Sequence, residues 1–154
     1  MNQTKKLIFS LLLSGFIIFL DLITKFYVKE NINLLISNME IFKGLNFVYV
    51  ENQGISFGIF SNLNISFFLG IISFLISTYI LYLIYNSNEK LEIFSLSLIL
   101  GGAVGNGFER LTQEFVIDFI DIYYANFHWP AFNLADAFIT IGAFFFLLSI
   151  IKTR

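Results

Sequence analysis

Gly101-Gly102-Ala103-Val104-Gly105-Asn106-Gly107-Phe108-Glu109-Arg110 closes a long apolar run with an Asn and an Arg one helical turn apart. An arginine at the end of a membrane helix can reach the interface, whereas an asparagine buried beside it needs a partner. Gly101 and Gly105 form a small-xxx-small pattern that lets another helix approach closely. The chain is 57% hydrophobic and 13% charged, against roughly 45–50% and about 25% for a soluble domain. Both departures point to a membrane protein.

Four segments reach the roughly 20 residues that a helix needs to cross about 30 Å of hydrocarbon. They run over residues 7–27, 65–85, 91–111 and 133–151. The expected fold is an all-α four-transmembrane-helix bundle, one membrane-embedded domain over residues 1–154. Lys5 and Lys6 precede the first run as in a signal peptide, but no small-x-small cleavage site follows, so it reads as a retained helix. Lys5, Lys6, Lys90, Lys152 and Arg154 favour cytoplasmic termini, with the two longer loops outside. In the first of these loops, Leu45-Asn46-Phe47-Val48-Tyr49-Val50 is rich in strand formers, Asn52-Gln53-Gly54 signals a turn, and residues 55–60 follow. That pattern predicts a small β-hairpin or sheet at the outer interface. His128-Trp129-Pro130 in the second loop reads as an interfacial anchor and a helix-start signal.

This topology brings polar residues of separate segments to one depth: Asp21 and Lys25 in the outer half of the first helix, Asn106 and Arg110 at the outer end of the third, Asn133 and Asp136 at the start of the fourth, and Asp118 in the loop before it. Asp118 and Asp136 are the candidates for chemistry. Two close carboxylates cannot both ionise easily and share a proton. One then serves as base toward a water while the protonated partner polarises a carbonyl. Each also has a plainer reading. Asp136 is equally a helix N-terminal acid stabilised by the dipole, and Asp118 a solvated loop acid. Asp21 and Lys25 share a helix face at i and i+4 and read as a structural ion pair. Ser14 lies too far along the same helix for a Ser–Lys dyad. Asn52 with Gly54 reads either as a turn or as an amide that holds the backbone of an extended ligand.

Other chemistries are poorly supplied. The sequence has no Cys and one His, which removes thiol nucleophiles and disfavours a zinc hydrolase. A net charge of −2 gives no reason to expect nucleic acid. A small transporter or channel subunit would spread polar groups through the membrane depth, and these cluster at one end. A non-catalytic scaffold offers no reason for paired acids in separate segments.

Taken together, the motifs resemble those of the lipoprotein signal peptidases (signal peptidase II), aspartic proteases of the bacterial inner membrane. Asp21-Leu-Ile-Thr-Lys25, Asn52-Gln-Gly-Ile-Ser-Phe57-Gly58, Gly101 to Arg110, Val116-Ile-Asp118-Phe119 and Phe132-Asn133-Leu-Ala-Asp136 follow the family's order and spacing over nearly the whole chain. The resemblance implies Asp118 and Asp136 as the catalytic dyad. It implies Asn52, Gly54, Asn106, Arg110 and Asn133 as substrate-binding or site-lining residues, and Asp21, Lys25 and Glu109 as structural polar residues. Glu109 departs from the family's usual Asp, which puts a tight hydrogen bond at that position in question. The implied reaction removes the signal peptide of a prolipoprotein, cutting before a Cys that bears a diacylglyceryl group. The implied partners are that lipid-modified substrate and membrane lipids, with no metal or cofactor, and a single chain contains every proposed part.

Overall fold

The computed structural model describes residues 2–54 and 65–153. The elements in chain order are α1 (Gln3–Glu30), α2 (Ile32–Leu35), β1 (Met39–Phe42), β2 (Leu45–Asn52), α3 (Ser66–Asn86), α4 (Lys90–Gln113), β3 (Val116–Tyr124), β4 (Phe127–His128) and α5 (Leu134–Thr153). Helices α1, α3, α4 and α5 are long and apolar enough to cross a membrane. They match the four expected spans with ends moved by a few residues.

Helix α4 is the centre of the bundle. Two thirds of its apolar window is buried, against about a fifth of each of the other three. Its composition explains the placement. Small residues permit close approach to several neighbours at once, and the polar groups it carries are costly facing lipid. A side chain on Gly101 would lie 2.8 Å from Cβ of Ile17 on α1, and one on Gly107 would lie 3.0 Å from Cβ of Ser73 on α3. Hydroxyls join the helices where the backbones meet: Ser14 donates to Ser97 O at 2.8 Å and Ser73 to Ala103 O at 2.7 Å. The outer helices turn Leu12, Phe16, Phe19, Leu75, Phe144 and Leu147 outward, as helices solvated by lipid do. At one end of the bundle Lys6 is buried and donates to Tyr85 O at 2.7 Å and Ser87 O at 2.6 Å. A cation there satisfies carbonyls that the end of α3 leaves open.

Gly102 seats α5. A Cβ at this position would run into the carbonyl oxygen of Ala135 and lie 2.7 Å from Cγ1 of Ile139. Backbone cannot yield as a flexible side chain does, so Gly102→Ala should destabilise the fold by about 1–3 kcal/mol through overpacking. The expected readout is a lower thermal midpoint in detergent. Gly15, whose added Cβ meets nothing within 4 Å, supplies the control, since Gly15→Ala should not lower it.

The strand-forming stretch becomes β2, as expected. It is a central strand of a four-stranded antiparallel sheet in the order β1-β2-β3-β4. Its partners are β1 and β3; residues 55–60, expected to follow the turn, lie outside the described residues. The segment around Asp118 corrects the sequence reading. It is the strand β3, nine residues rich in branched and aromatic side chains, and not a loop. Glu114 ends α4 in the left-handed region at φ 64°, which turns the chain sharply into β3. The His128-Trp129-Pro130 stretch is corrected too. His128 closes β4, and α5 begins at Leu134, after the cap at Asn133. Val28, Leu35, Ile117 and Phe119 form the small core that fixes the sheet against the ends of α1 and α5.

Candidate active site

Asp118 and Asp136 reach the same cavity from different elements. The cavity, of about 500 Å³, is lined by Asn52, Arg110, Asp118 and Asp136, with apolar walls from Val116, Phe132 and Ile141 among others. Asp118 arrives from β3, opposite Val50 and beside a register irregularity in which β2 has one residue more than β3 between Phe47 and Val50. Such bulges twist a strand and re-aim its side chains. Asp136 arrives from the first turn of α5.

Asn133 joins the two acids. Its Nδ2 donates to Asp118 Oδ1 at 2.6 Å, and its Oδ1 accepts from the Asp136 backbone N–H at 2.9 Å. The Asn133 backbone N–H points back to Asp136 Oδ2 at 3.4 Å. This is the reciprocal capping arrangement that short polar side chains make at helix starts. The dipole reading of Asp136 is therefore correct as local structure, and the same cap holds its carboxyl beside the cavity.

Two further amides complete the setting. Asn52 Nδ2 donates to Asp118 Oδ2 at 2.9 Å, while Asn52 Oδ1 accepts from the Gly54 N–H at 3.0 Å. The turn reading of Asn52 holds, and the other end of the amide grips the acid. Asn106 Nδ2 donates to Asp136 Oδ1 at 2.8 Å. Three of the four carboxyl oxygens thus accept an amide at 2.9 Å or less, and Asp136 Oδ2 is left with the long contact to Asn133. Arg110 Nη2 donates to Gly54 O at 3.3 Å, and its buried Nε has no partner among the described residues. A cation at the wall of a cavity containing two acids offsets their mutual repulsion.

Asp118 is nearly fully buried. Burial, and next the charge of Asp136, push its carboxyl up to about 7. In the folded protein Asp118 therefore holds its proton to near neutrality, whereas an unfolded chain releases it near pH 4. Between those values the unfolded state loses a proton that the folded state keeps. Stability should fall as pH rises from about 4 to about 7, by a few kcal/mol at most, and level off above. Thermal midpoints in detergent across this range check it, and Asp118→Asn should flatten the slope.

Beneath the cavity lies a buried ionic cluster. Lys25 Nζ is 2.7 Å from Asp21 Oδ2, 2.6 Å from Glu109 Oε2 and 2.9 Å from Asn106 Oδ1. Asp21 Oδ1 in turn accepts the Ala135 backbone N–H at 2.9 Å, an open donor of the first turn of α5. Glu109, whose side chain is one methylene longer than Asp, brings Oε2 to 2.6 Å from Lys25 Nζ. Every site residue singled out in the sequence lies in this one region. Sequence reading missed the cavity wall from α5, although Thr140 follows Asp136 by four residues and so shares its face. It also missed the buried Asp121, which accepts from Asn46 at 2.8 Å and lies 2.9 Å from His128 Nδ1. That grouping depends on strand register, which no local pattern reveals.

Residues 13–152 match the family described as signal peptidase (SPase) II. A lipoprotein signal peptidase of Syntrophus aciditrophicus is 35% identical over 97% of this chain and 96% of its own length. One from Thermodesulfovibrio yellowstonii is 44% identical over 70% of this chain and 71% of its own. Two solved bacterial membrane enzymes superpose with TM-scores of 0.82 and 0.78, at 28% and 26% identity. They cover 93% and 94% of this chain, and 87% and 94% of their own lengths.

Proposed function

The chain belongs to the signal peptidase II family, a multi-pass membrane protease, and from that premise we propose that it removes signal peptides from lipid-modified prolipoproteins by an aspartic mechanism. The observation that carries the mechanism is the shared cavity, where Asp118 and Asp136 stand on either side of Asn133. Between them the two carboxyls hold one proton. The ionised acid takes a proton from a water whose oxygen attacks the scissile carbonyl carbon, and the protonated acid donates to the carbonyl oxygen. The resulting diol collapses as one aspartyl proton passes to the leaving amine and the other aspartate takes a hydroxyl proton. The pair ends with one proton, as it began. Asn52, Gly54, Asn106, Arg110 and Asn133 hold the acids and line the path of an extended substrate.

The cavity's mixed walls suit a peptide backbone followed by an apolar segment, and lipid surrounds the exposed sides of the helices. The cut falls before a Cys whose sulfur carries the diacylglyceryl group, at the outer side of the bacterial inner membrane, with both termini cytoplasmic. A single chain suffices for the reaction, and membrane lipids are its solvent.

The test is cleavage of a synthetic prolipoprotein peptide by the purified protein in detergent or bilayers. The peptide with a diacylglyceryl thioether should be cut on the N-terminal side of the modified Cys, located by mass spectrometry. The same peptide with a free thiol should be cut at least about 10²-fold more slowly, since binding energy from the acyl chains would no longer position the bond. Equal rates on both peptides would reject the lipid requirement, and no cleavage of either would reject the activity.

A further inference from the structure

Lys25 is a buried cation at the site for which the reaction above has no step. Its ammonium has three protons and three acceptors within 2.9 Å: Asp21 Oδ2, Glu109 Oε2 and Asn106 Oδ1. Two carboxylates at ion-pair distance and the amide oxygen that accepts from it hold the Lys25 ammonium in one place. What it does depends on Asn106, whose side-chain amide has one accepting and one donating end.

Asn106 Oδ1 faces Lys25 and its Nδ2 faces Asp136 Oδ1 at 2.8 Å. Turning the amide over would set an NH2 group against an ammonium, which has nothing to accept with. Without Lys25 the two orientations are close in shape. An ionised Asp136 would still select the donor, but a protonated Asp136 could donate to Asn106 and select the reverse. The amide would then follow the proton during turnover. With Lys25 in place it cannot, so Asp136 Oδ1 receives a hydrogen bond in both protonation states. The proton is left to Oδ2, the oxygen whose other contact is the 3.4 Å one to Asn133.

We propose that Lys25 is a positioning residue: by holding Asn106 Oδ1 it keeps that amide donating to Asp136 Oδ1 and so directs proton exchange to Asp136 Oδ2. This rests on the proposed aspartic mechanism. Asp21 and Glu109 serve it by holding the ammonium in place. Asp21 also fixes the turn that carries Asp136, through the Ala135 N–H.

The test separates this role from mere support of the fold. Asp21→Asn, Lys25→Met and Glu109→Gln combined remove the three charges together and leave no buried carboxylate of the cluster unpaired. The triple variant should melt within a few degrees of the parent, yet kcat on the lipidated peptide should drop by about 10²-fold with KM little changed. Recovery of kcat together with the thermal midpoint would overturn the proposal. Should the triple variant not fold, Lys25→Gln and Lys25→Met are compared per folded molecule. Both lack the charge, but Gln offers Asn106 a donor, so it should retain the higher kcat; equal values would overturn the proposal. A readout independent of cleavage is the side-chain NH2 signal of Asn106 in 15N spectra, assigned by its loss in Asn106→Asp. The proton that Asn106 donates to Asp136 Oδ1 should exchange with solvent slowly in the parent and faster in the triple variant. No difference would reject the amide lock, even if the parent failed to cut the peptide and the aspartic reading itself fell.

Discussion

Asp118→Asn and Asp136→Asn should each lower the rate of prolipoprotein cleavage by about 10³-fold or more, while the protein still folds. The size follows from what each group must do. General acid–base assistance contributes about 10²–10⁴-fold, and an amide can neither take a proton from water nor give one to a leaving amine. The two acids act as one unit, so the double variant should be little worse than either single one. Folding should survive: at position 136 Asn retains an acceptor oxygen for Asn106, and at position 118 it retains one for Asn133, while Asn52 can turn its own oxygen to the new NH2 group. Asp118→Asn even removes a carboxyl whose ionisation the buried site disfavours. Single-turnover rates on the lipidated peptide, beside size-exclusion profiles and thermal midpoints, supply the measurement. Wild-type activity in either single variant would dismiss the pair as the catalytic machinery.

The same residues show what the amino-acid order made legible. Four spans were plain because apolar runs of that length have few other uses. The centrality of α4 was written in Gly101, Gly105 and Asn106, since small and polar residues turn away from lipid. The pairing of Asp21 with Lys25 followed from helical spacing alone. The strand nature of residues 116–124 was also present in their branched and aromatic side chains. Proximity to a helix start outweighed it and made Asp118 look like a loop residue. What no local pattern contained was pairing at a distance. Asn52 and Asp118 are 66 positions apart, and their meeting depends on the β2–β3 register and its bulge. Glu109 is the clearest instance. Its sequence position showed a longer side chain than usual for the family, but the 2.6 Å contact with Lys25 depends on how α1 lies against α4.

Lys25→Met should be the most destabilising single change in the site region, by about 3–5 kcal/mol, because it strips two buried carboxylates of their shared cation. Asp21 and Glu109 are both buried, at 0% and 2% exposure, so water cannot take over from the ammonium. The loss would spread along the connections already traced. Asp21 holds the Ala135 N–H on α5, and Glu109 and Asn106 belong to α4, so Lys25 ties α1 to the two helices that shape the cavity. The expected signs are a lower yield of folded protein and a thermal midpoint well below the parent's. Glu109→Gln in the Lys25→Met background should recover part of the loss by removing one stranded charge, and adding Asp21→Asn should recover more. That order of recovery distinguishes stranded charge from lost packing. If lost apolar contact of the lysine stem were the cause, removing the acids would return nothing, and Met, which preserves much of the stem's volume, would have cost little in the first place. A midpoint for Lys25→Met equal to the parent's would mean that the cluster does not hold the three helices together.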